Sequence, residues 1–409
     1  MSLSMTAWLE QQAEVRERRG LVRTPTVRGP QGARGKESAS DREGAPDRKA
    51  GHRGMIDLAS NDYLGLSTDP RMAEAAMDAI RRWGTGAASS RLVTGTTELH
   101  LELEHHLALF TGAEAALVFS SGYLANLGVT TALGGPGTLI VADEYCHASL
   151  IDGFRLSRSE VREFKHNDAA DAARLLEGRT QPRALVVVES IYSVGGDAAP
   201  LQELFNLAEE HDAVLLIDEA HSLGVAGVGP FQGRGAVAGT SLADHPGVVR
   251  TATLSKALGS QGGAVLSSSL LREHLVNRSR SFIFDTALAP PAAAAAMAAV
   301  GIIQREPWRA AAVHHNAAAL AAQLQPTLGR PAAVERSAGA VQSIPMPSAE
   351  AALAASQAAY AAGVQVGCFR PPSVPDGVSR LRLTARANLT PNDLDHACAV
   401  LRDILERTP

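Results

Sequence analysis

The run Val214-Leu-Leu-Ile-Asp-Glu-Ala-His221 is apolar at its start and ends in two acids and a histidine. A second run, Val249-Arg-Thr-Ala-Thr-Leu-Ser-Lys-Ala-Leu-Gly259, brings Lys256 to a position 38 residues after Asp218. Both runs predict buried strands of a parallel sheet, because such strands are covered on both faces and read as short apolar segments. In open α/β sheets ligands bind outside the carboxyl ends of the strands. Asp218 and Lys256 are therefore expected to meet at one site.

A lysine and an aspartate delivered from two strands are the pair that pyridoxal phosphate needs. The lysine amine forms a Schiff base with this cofactor, and the aspartate keeps the pyridine nitrogen protonated. The alternative for Lys256 is a surface lysine at the start of a helix. The apolar run Val248–Thr253 and the small residues after Lys256 argue against that alternative. The pair predicts an enzyme that uses pyridoxal phosphate.

Length and composition limit the possible classes of protein. A chain of 409 residues suits a large domain plus a smaller one. The net charge of −5 gives no reason to expect nucleic acid as a partner. The longest uncharged stretch, from 286 to 304, is mostly alanine and contains Pro290-Pro291, so it predicts a packed helix and no membrane span.

The cysteines are Cys146, Cys368 and Cys398, and their spacing fits neither a metal site nor a C-x-x-C motif. No metal is expected, and reduced cysteines favour the cytoplasm. The N-terminal segment from Trp8 onward is charged, so it does not read as a secretory signal.

The chain divides into three predicted parts. Residues 1–54 contain an amphipathic helix over 6–19 and a polar segment over 24–53 with loop or disorder composition. Residues 55–290 form a large α/β domain, because helical patterns alternate with short apolar strands as in a doubly wound, mainly parallel sheet. Residues 291–409 contain an alanine-rich helical region to about 328, three strand-like segments and a closing helix, which predicts a small α+β domain.

The predicted elements that support this division are strands at 116–119, 138–142, 184–188, 214–217, 248–253, 263–266, 341–344, 364–366 and 379–384, and helices at 70–83, 98–111, 201–211 and 391–407.

The turn Ser120-Ser-Gly-Tyr123 follows a strand and precedes a helix-like segment. The start of a helix presents unpaired N–H groups that bind an anion, here the cofactor phosphate. Many strand-to-helix turns contain Ser and Gly, so this motif alone is weak evidence for a phosphate site. It favours one only in combination with Asp218 and Lys256.

Two histidines and two further polar residues follow predicted strands. His147 suits stacking on the cofactor ring, and His221 suits a hydrogen bond to the cofactor phenolic oxygen; for both, the alternative is a structural histidine. Ser193 suits a contact with the same oxygen; the alternative is a serine that only forms part of the turn. For Glu189, the sequence favours neither a structural role nor a role in the substrate site over the other.

Arg380 and Arg382 alternate with leucines, which places both guanidinium groups on one face of a strand. An arginine there suits a carboxylate, which it binds with two hydrogen bonds. The alternative is an exposed charged face.

Taken together, these segments resemble the α-oxoamine synthases, a group of fold-type I pyridoxal-phosphate enzymes, from about residue 55 to 405 and weakly through 6–23. The resemblance is carried by Asn61-Asp-Tyr-Leu-Gly-Leu66, Asp218-Glu-Ala-His221 and Thr253-Leu-Ser-Lys256, which together are highly specific for the group. Phe369-Arg-Pro-Pro-Ser-Val-Pro375, followed by Arg380-Leu-Arg-Leu-Thr384, favours the branch that joins L-alanine to a pimeloyl thioester in biotin biosynthesis.

The resemblance implies roles around the cofactor ring. Lys256 matches the lysine that binds the cofactor covalently, and Asp218 matches the acid at the pyridine nitrogen. His147 matches the histidine that stacks on the ring, while His221 and Ser193 match the contacts of the phenolic oxygen.

On the phosphate side, the resemblance implies a cofactor-binding turn of Ser121, Gly122 and Tyr123, with Thr253 as a further contact. Thr286 matches a phosphate contact that comes from the neighbouring subunit. A homodimer with a shared active site is therefore expected.

On the substrate side, Asn61 and Arg382 match residues that bind the amino-acid carboxylate. Arg23 matches a substrate arginine, and Arg370 is a candidate on the acyl side. The polar segment 24–53, which follows Arg23, replaces the short strand-and-turn entry of the group.

The expected reaction is a decarboxylative condensation, and an enzyme that catalyses it is an acyltransferase. The rivals are synthases that join glycine or serine to another acyl-CoA, and a catalytically silent homologue. Acyl-chain length and the choice between CoA and a carrier-protein thioester stay open.

Overall fold

The computed structural model describes residues 4–25, 54–325 and 337–408. Most of the predicted polar segment 24–53 and the end of the predicted alanine-rich region lie outside these residues. The strands are β1 (Ile56–Leu58), β2 (Ala115–Phe119), β3 (Thr138–Asp143), β4 (Glu160–Phe164), β5 (Arg183–Glu189), β6 (Val214–Asp218), β7 (Val248–Thr253), β8 (Gly263–Ser267), β9 (Val341–Pro345), β10 (Val364–Phe369) and β11 (Arg380–Thr384).

The helices are α1 (Met5–Arg18), α2 (Pro70–Trp83), α3 (Glu98–Thr111), α4 (Gly122–Leu133), α5 (Ala148–Ser157), α6 (Ala169–Leu176), α7 (Leu201–Glu210), α8 (Ser269–Arg278), α9 (Arg280–Ile283), α10 (Pro290–Arg305), α11 (Trp308–Leu324), α12 (Ala349–Ala361) and α13 (Pro391–Glu406). Across the three described ranges, none of them combines the length and apolar character that crossing a bilayer requires.

The large sheet has seven strands in the order β2-β8-β7-β6-β5-β3-β4. Only β8 runs against its neighbours, β2 and β7, so the sheet is mainly parallel. Successive side chains of β3 enter different apolar clusters, because strand side chains alternate between faces. Leu139 and Val141 belong to the apolar cluster that contains Leu204 of α7, whereas Ile140 belongs to the one that contains Val129 of α4. Helices therefore cover both faces, and the predicted doubly wound fold class is confirmed.

The strand register brings three polar positions together at the carboxyl edge of this sheet. Glu189, the last residue of β5, pairs with Asp218, the last residue of β6, and Asp218 pairs with Thr251 of β7. Lys256 follows β7 by three residues. The apolar runs that the sequence marks as strands thus end side by side, which is the geometry expected from a parallel sheet.

The smaller sheet has the order β1-β10-β11-β9. β1 pairs in parallel with β10, so residues 56–58 join strands from the far end of the chain. The domain boundaries 1–54, 55–290 and 291–409 stay a prediction. The alanine-rich region divides into α10 and α11 at Glu306-Pro307, because proline lacks the N–H that a continuing helix needs.

We expect Gly153→Ala to destabilise the fold, because α4 and α5 approach closely at this residue. An added Cβ would lie 1.9 Å from Oγ1 of Thr130, which is fully buried. Overpacking of this kind costs about 1–3 kcal/mol in the free energy of unfolding, measurable by denaturant titration. Gly86→Ala is the control, since an added Cβ there meets no atom within 4 Å. Equal stability of the two variants would contradict the expectation.

Candidate active site

A cavity of about 250 Å³ lies at the carboxyl ends of β5, β6 and β7, facing the start of α4. It brings together most of the residues predicted for the cofactor, and Glu189, which was predicted as a structural or substrate-site acid. Those that line it are Ser121, Gly122, Tyr123, His147, Glu189, Asp218, His221, Thr253 and Lys256.

A chain of hydrogen bonds runs from Lys256 into the protein interior. Lys256 Nζ lies 2.7 Å from His221 Nε2, and His221 Nδ1 lies 2.6 Å from the hydroxyl of Tyr63. Tyr63 Oη lies 3.2 Å from Asn61 Oδ1, where the hydroxyl donates. When Lys256 is protonated it donates to Nε2, so Nδ1–H must donate to Tyr63. The directions of all three bonds then agree.

Burial controls the ionisation of this chain. It lowers the pKa of Lys256 to about 8, although the charges of Asp218 and Glu189 act in the opposite direction. Burial, and then the positive charges of Lys256 and Arg382, hold the pKa of His221 well below its usual value. Burial also raises the pKa of Tyr63 to about 12. At neutral pH His221 and Tyr63 are therefore neutral, and Lys256 loses its proton within reach of physiological pH.

A second chain orients Asp218 and His147. Asn126 Nδ2 donates to Asp218 Oδ2 at 2.7 Å and to Ser149 Oγ at 2.8 Å. His147 Nδ1 accepts from Ser149 N at 3.2 Å and lies 2.7 Å from Ser149 Oγ. Desolvation lowers the pKa of His147. An unprotonated Nδ1 leaves the proton of the neutral ring on Nε2.

Glu189 is buried beside Asp218, and one of its oxygens, Oε1, has no hydrogen-bond partner among the described residues. Its other oxygen, Oε2, accepts from the backbone N–H of Ser193 at 3.1 Å. Burial, and then the charge of Asp218, raise the pKa of Glu189 well above its usual value. Burial and the neighbouring charge therefore both favour the neutral, protonated form of Glu189.

The turn at the start of α4 has the form of an anion site. Ser121 caps the helix, its Oγ accepting from Leu124 N at 3.2 Å. The N–H groups of Gly122 and Tyr123 belong to the first turn, so they have no carbonyl partner within the helix. A Cβ on Gly122 would lie 3.0 Å from Thr253 Cβ, so the turn packs tightly on β7.

Asn61 and Arg382 form a pair outside the lining of this cavity. Arg382 Nη1 donates to Asn61 Oδ1 at 3.0 Å, and the guanidinium lies over the Phe369 ring, 5.2 Å from its centroid. Arg382 is 4% exposed, and its Nε and Nη2 have no partner within the described ranges. Arg380, on the same strand face, is held by Asp376. Both arginines are buried, so β11 does not present an exposed charged face.

Two predicted cofactor residues do not line the cavity. Ser193 is half-buried in the turn after β5. Thr286 is exposed and forms a β-bridge with Ser90.

Arg23 and Arg370 line a separate cavity of about 580 Å³ between the N-terminal segment, α12 and β10. Arg23 Nη2 donates to Ser373 Oγ at 2.7 Å. Arg370 donates to the carbonyl oxygens of Gly20 and Val22. The two arginines therefore fasten the N-terminal segment over this cavity.

Sequence reasoning missed three residues of the site: Tyr63, Asn126 and Ser149. Tyr63 lies within the motif at 61–66, which marked its neighbourhood but not its contact with His221. Asn126 is the fourth residue after Gly122, one helical turn along α4, and Ser149 is the second residue after His147. Helical spacing from the predicted turn was the available signal for Asn126. In the described part of the chain, no cluster of His, Cys, Asp or Glu is arranged to hold a metal ion.

The fold-type I transferases are defined by a mainly parallel sheet, a smaller sheet, and a lysine and an acid at the ends of adjoining strands. The structure has these features. The family model for aminotransferase class I and II matches residues 53–401, and the chain belongs to this family.

Curated relatives narrow the comparison. The chain is 50% identical to the 8-amino-7-oxononanoate synthase of Mycobacterium sp. (strain JLS), covering 98% of this chain and 97% of the relative. It is 52% identical to the enzyme of the same name from Mycobacterium ulcerans, covering 86% and 87%. These relatives confirm the resemblance predicted from the sequence.

Solved structures agree in fold. A serine palmitoyltransferase from S. paucimobilis, bound to a PLP–myriocin aldimine, has a TM-score of 0.81 and 31% identity, covering 86% of this chain and 87% of that one. The 8-amino-7-oxononanoate synthase of Francisella tularensis has a TM-score of 0.72 and 26% identity, covering 85% and 97%.

We expect reductive methylation of Lys256 by formaldehyde and cyanoborohydride to rise through a midpoint near pH 8. Below its pKa of about 8 the amine carries a proton and has no lone pair; above it the amine is a nucleophile. Peptide mass spectrometry of protein without added cofactor measures the modified fraction. Exposed Lys165 in the same sample reports the pH dependence of the reagent. A midpoint for Lys256 above pH 10 would contradict the burial argument.

Proposed function

We propose that this protein condenses L-alanine with a pimeloyl thioester to give 8-amino-7-oxononanoate, carbon dioxide and the free thiol, a step of biotin biosynthesis. The observation that carries the proposal is the 48–52% identity to relatives named for this product. In the overall reaction the alanine Cα bonds to the acyl carbon, the thioester C–S bond breaks, and the alanine carboxylate leaves as carbon dioxide.

The site fits pyridoxal phosphate as its cofactor. Its cavity offers an amine at Lys256, a carboxylate at Asp218 and a helix start at Gly122, which suit the aldehyde, the ring nitrogen and the phosphate of that molecule. Asn126 donates to Asp218, which keeps this carboxylate oriented towards the cavity. When bound, the cofactor supplies the electron sink that an amino-acid Cα–H needs in order to ionise.

Lys256 is the proposed general base for the Cα proton of alanine. A base works best when its pKa lies near the working pH, and burial brings the pKa of Lys256 to about 8. His221, 2.7 Å from Lys256 Nζ, holds the amine by a hydrogen bond while remaining neutral itself.

Arg382 and Asn61 are the proposed contacts of the alanine carboxylate. The Nε and Nη2 groups of Arg382, which have no partner among the described side chains, supply two parallel N–H donors. A carboxylate matches this pair, because its two oxygens accept in the same geometry. The carboxylate would satisfy donors that are otherwise buried without a hydrogen bond.

On the acyl side, His147 is the proposed donor to the thioester carbonyl. Its Nδ1 accepts from Ser149, so the ring carries its proton on Nε2. Arg23 and Arg370 are proposed to act further along the acyl donor, at the cavity of about 580 Å³. The donor is either pimeloyl-CoA or a pimeloyl carrier protein.

Ser193, Glu189 and Thr286 complete the proposed site. Ser193 is assigned to the cofactor phenolic oxygen and Glu189 to the substrate. Thr286 is exposed and outside the cavity of its own chain, which suits a contact with the cofactor of a second subunit in a homodimer. The cytoplasm is the proposed location, since Cys146, Cys368 and Cys398 are free thiols.

A related synthase that uses serine or glycine with another acyl-CoA is the second candidate. The TM-score of 0.81 with a serine palmitoyltransferase favours it on fold. The higher identity to 8-amino-7-oxononanoate synthases favours L-alanine and pimelate. A silent homologue is disfavoured, because Lys256, Asp218, His147 and His221 converge on one cavity.

A competition assay read by mass spectrometry tests the proposal. The protein, loaded with pyridoxal phosphate, receives L-alanine, glycine and L-serine together with pimeloyl-CoA and acetyl-CoA. We expect the mass of 8-amino-7-oxononanoate to dominate, and Lys256→Ala to abolish it because the variant lacks the base. A glycine, serine or acetyl product would replace the proposed reaction with that of a rival. Absence of any product would support the silent homologue or an untested donor.

We expect Arg382→Gln to raise the KM for alanine by about 10- to 100-fold, since charged hydrogen bonds contribute about 1.5–3 kcal/mol. Arg380→Gln is the matched control. It makes the same change on the same strand face, but its guanidinium is held by Asp376. Steady-state kinetics with varied alanine measures both. Equal KM values for the two variants would remove Arg382 from the carboxylate site.

A further inference from the structure

His166 lies between two carboxylates, close to the proposed active site but outside its cavity. Its Nδ1 is 3.0 Å from Asp143 Oδ1, and its Nε2 is 2.8 Å from Asp197 Oδ2. Ionised carboxylates only accept hydrogen bonds, so both ring nitrogens must carry protons for both contacts to form. The geometry therefore defines an imidazolium.

Two aromatic rings enclose this imidazolium. Tyr145 stacks on it with centroids 4.2 Å apart, and Tyr192 meets it edge-on at 4.4 Å. The His166 side chain is 21% exposed and that of Asp143 is fully buried. The faces of tyrosine rings attract cations, which adds to the stabilisation.

Asp143 fixes the turn that leads to His147. It is the last residue of β3, and its Oδ1 accepts from Tyr145 N at 2.8 Å. His147 then forms the cap of α5. The orientation of His147 therefore depends on a turn whose buried carboxylate is held by His166.

Asp197 fixes the turn that contains Ser193. Its carbonyl oxygen accepts from Tyr192 N at 2.9 Å, and Gly196 N donates to Tyr192 O at 2.9 Å, which closes a tight loop after β5. Ser193 lies inside this loop. His166 thus joins two separate loops that each carry a predicted cofactor residue. Asn167 supports the same link, because its backbone N–H donates to Asp143 Oδ2 at 2.9 Å and its Nδ2 donates to Asp197 Oδ2 at 2.7 Å.

We propose that protonated His166 is a positioning residue that ties the turn after β3 to the loop after β5, and so holds His147 and Ser193 at the cofactor. This inference rests on the proposed function for the roles of those two side chains. His166 touches neither substrate nor cofactor and acts through Asp143 and Asp197.

The pKa of His166 supports the assignment. Burial acts to lower it, but the hydrogen bonds and charges of Asp143 and Asp197 outweigh burial and raise it to about 9. The other groups that face this region are Glu144, which accepts from the His166 backbone N–H at 3.0 Å, and the Tyr145 and Tyr192 rings; Lys165 and Asp168 flank it in sequence.

The sign of the pH dependence follows from this shift. A folded pKa above the ordinary value of about 6.5 means that the stabilisation is fully present below that value and is lost as pH rises through about 9. The contribution of His166 to joining the two loops should therefore be present at neutral pH and weaken at alkaline pH, whereas the bonds of Asn167 to Asp143 and Asp197 do not titrate.

His166→Gln tests the inference, since glutamine is neutral and has a single donor nitrogen in place of the two ring N–H groups of the imidazolium. The readout is exchange of the alanine Cα proton with deuterated water in protein loaded with pyridoxal phosphate, which needs no acyl donor. We expect the exchange rate constant to fall about 10-fold at pH 7.5, as for a small misplacement of catalytic groups, with the KM for alanine changed less than about two-fold.

The wild-type to variant ratio should approach 1 as pH rises through about 9, because the wild-type imidazole then loses its charge. His245→Gln is the control: its ring also contacts a carboxylate, Glu209, and an aromatic ring, Phe205, but it precedes β7 at the opposite sheet edge. It should leave the rate unchanged.

Asp197→Asn should lower the exchange rate. The double variant with His166→Gln should be no slower than the worse single variant, since the two residues act as one unit.

Two further measurements separate this inference from the proposed function. Titration of the cofactor into apoprotein, followed by visible absorbance, should show about 10-fold weaker binding for His166→Gln. In protein labelled with carbon-13 at histidine Cε1, the resonance missing from His166→Gln should titrate near pH 9.

The wild-type protein could exchange the alanine Cα proton without forming the condensation product. In that case the proposed function fails, and the exchange rate of the His166→Gln variant still decides the inference. Unchanged exchange and cofactor binding, a pH-independent ratio, or a titration near 6.5 would overturn it.

Discussion

Burial of ionisable groups at the end of an apolar sheet is the constraint on which the rest of the site depends. β5, β6 and β7 end side by side, and their register brings Glu189 next to Asp218. Burial, and then the charge of Asp218, raise the pKa of Glu189. The same burial lowers the pKa of Lys256 to about 8 and keeps His221 neutral. Burial at the end of the sheet thus shifts the ionisation of Glu189, Lys256 and His221 before any ligand binds.

The hydrogen-bond chain extends this constraint to the smaller sheet. Lys256, His221 and Tyr63 connect to Asn61, which also accepts from Arg382 of β11. The proposed base from the large sheet and the proposed carboxylate contact from the small sheet are therefore joined by one buried network. Buried hydrogen bonds of this kind restrain the side chains that they join, which suits the proposed binding of a small amino acid in one orientation relative to Lys256.

Much of the fold could be predicted because its signals are local. The helices 70–83 and 98–111 begin and end where apolar spacing and flanking Thr, Asp and Gly residues indicate. Two strands were missed for physical reasons. β4 is an edge strand whose side chains are mostly exposed, so it lacks an apolar run, and β1 has only three residues and gains its pairing from β10. The candidate site was predictable at Asp218 and Lys256, because strand ends are readable from apolar runs.

Local patterns in the chain thus determined the alternation of strands and helices, the turn at Gly122, and the delivery of Asp218 and Lys256 to one edge of a parallel sheet. The folded arrangement decided which side chains meet across long separations. Tyr63 and His221 are 158 residues apart, and Asn61 and Arg382 are 321 apart. Periodicity and turn chemistry act over a few residues, so they carry no information about such pairs. The pKa shifts likewise arise from burial among distant segments, which exists only once both sheets have formed.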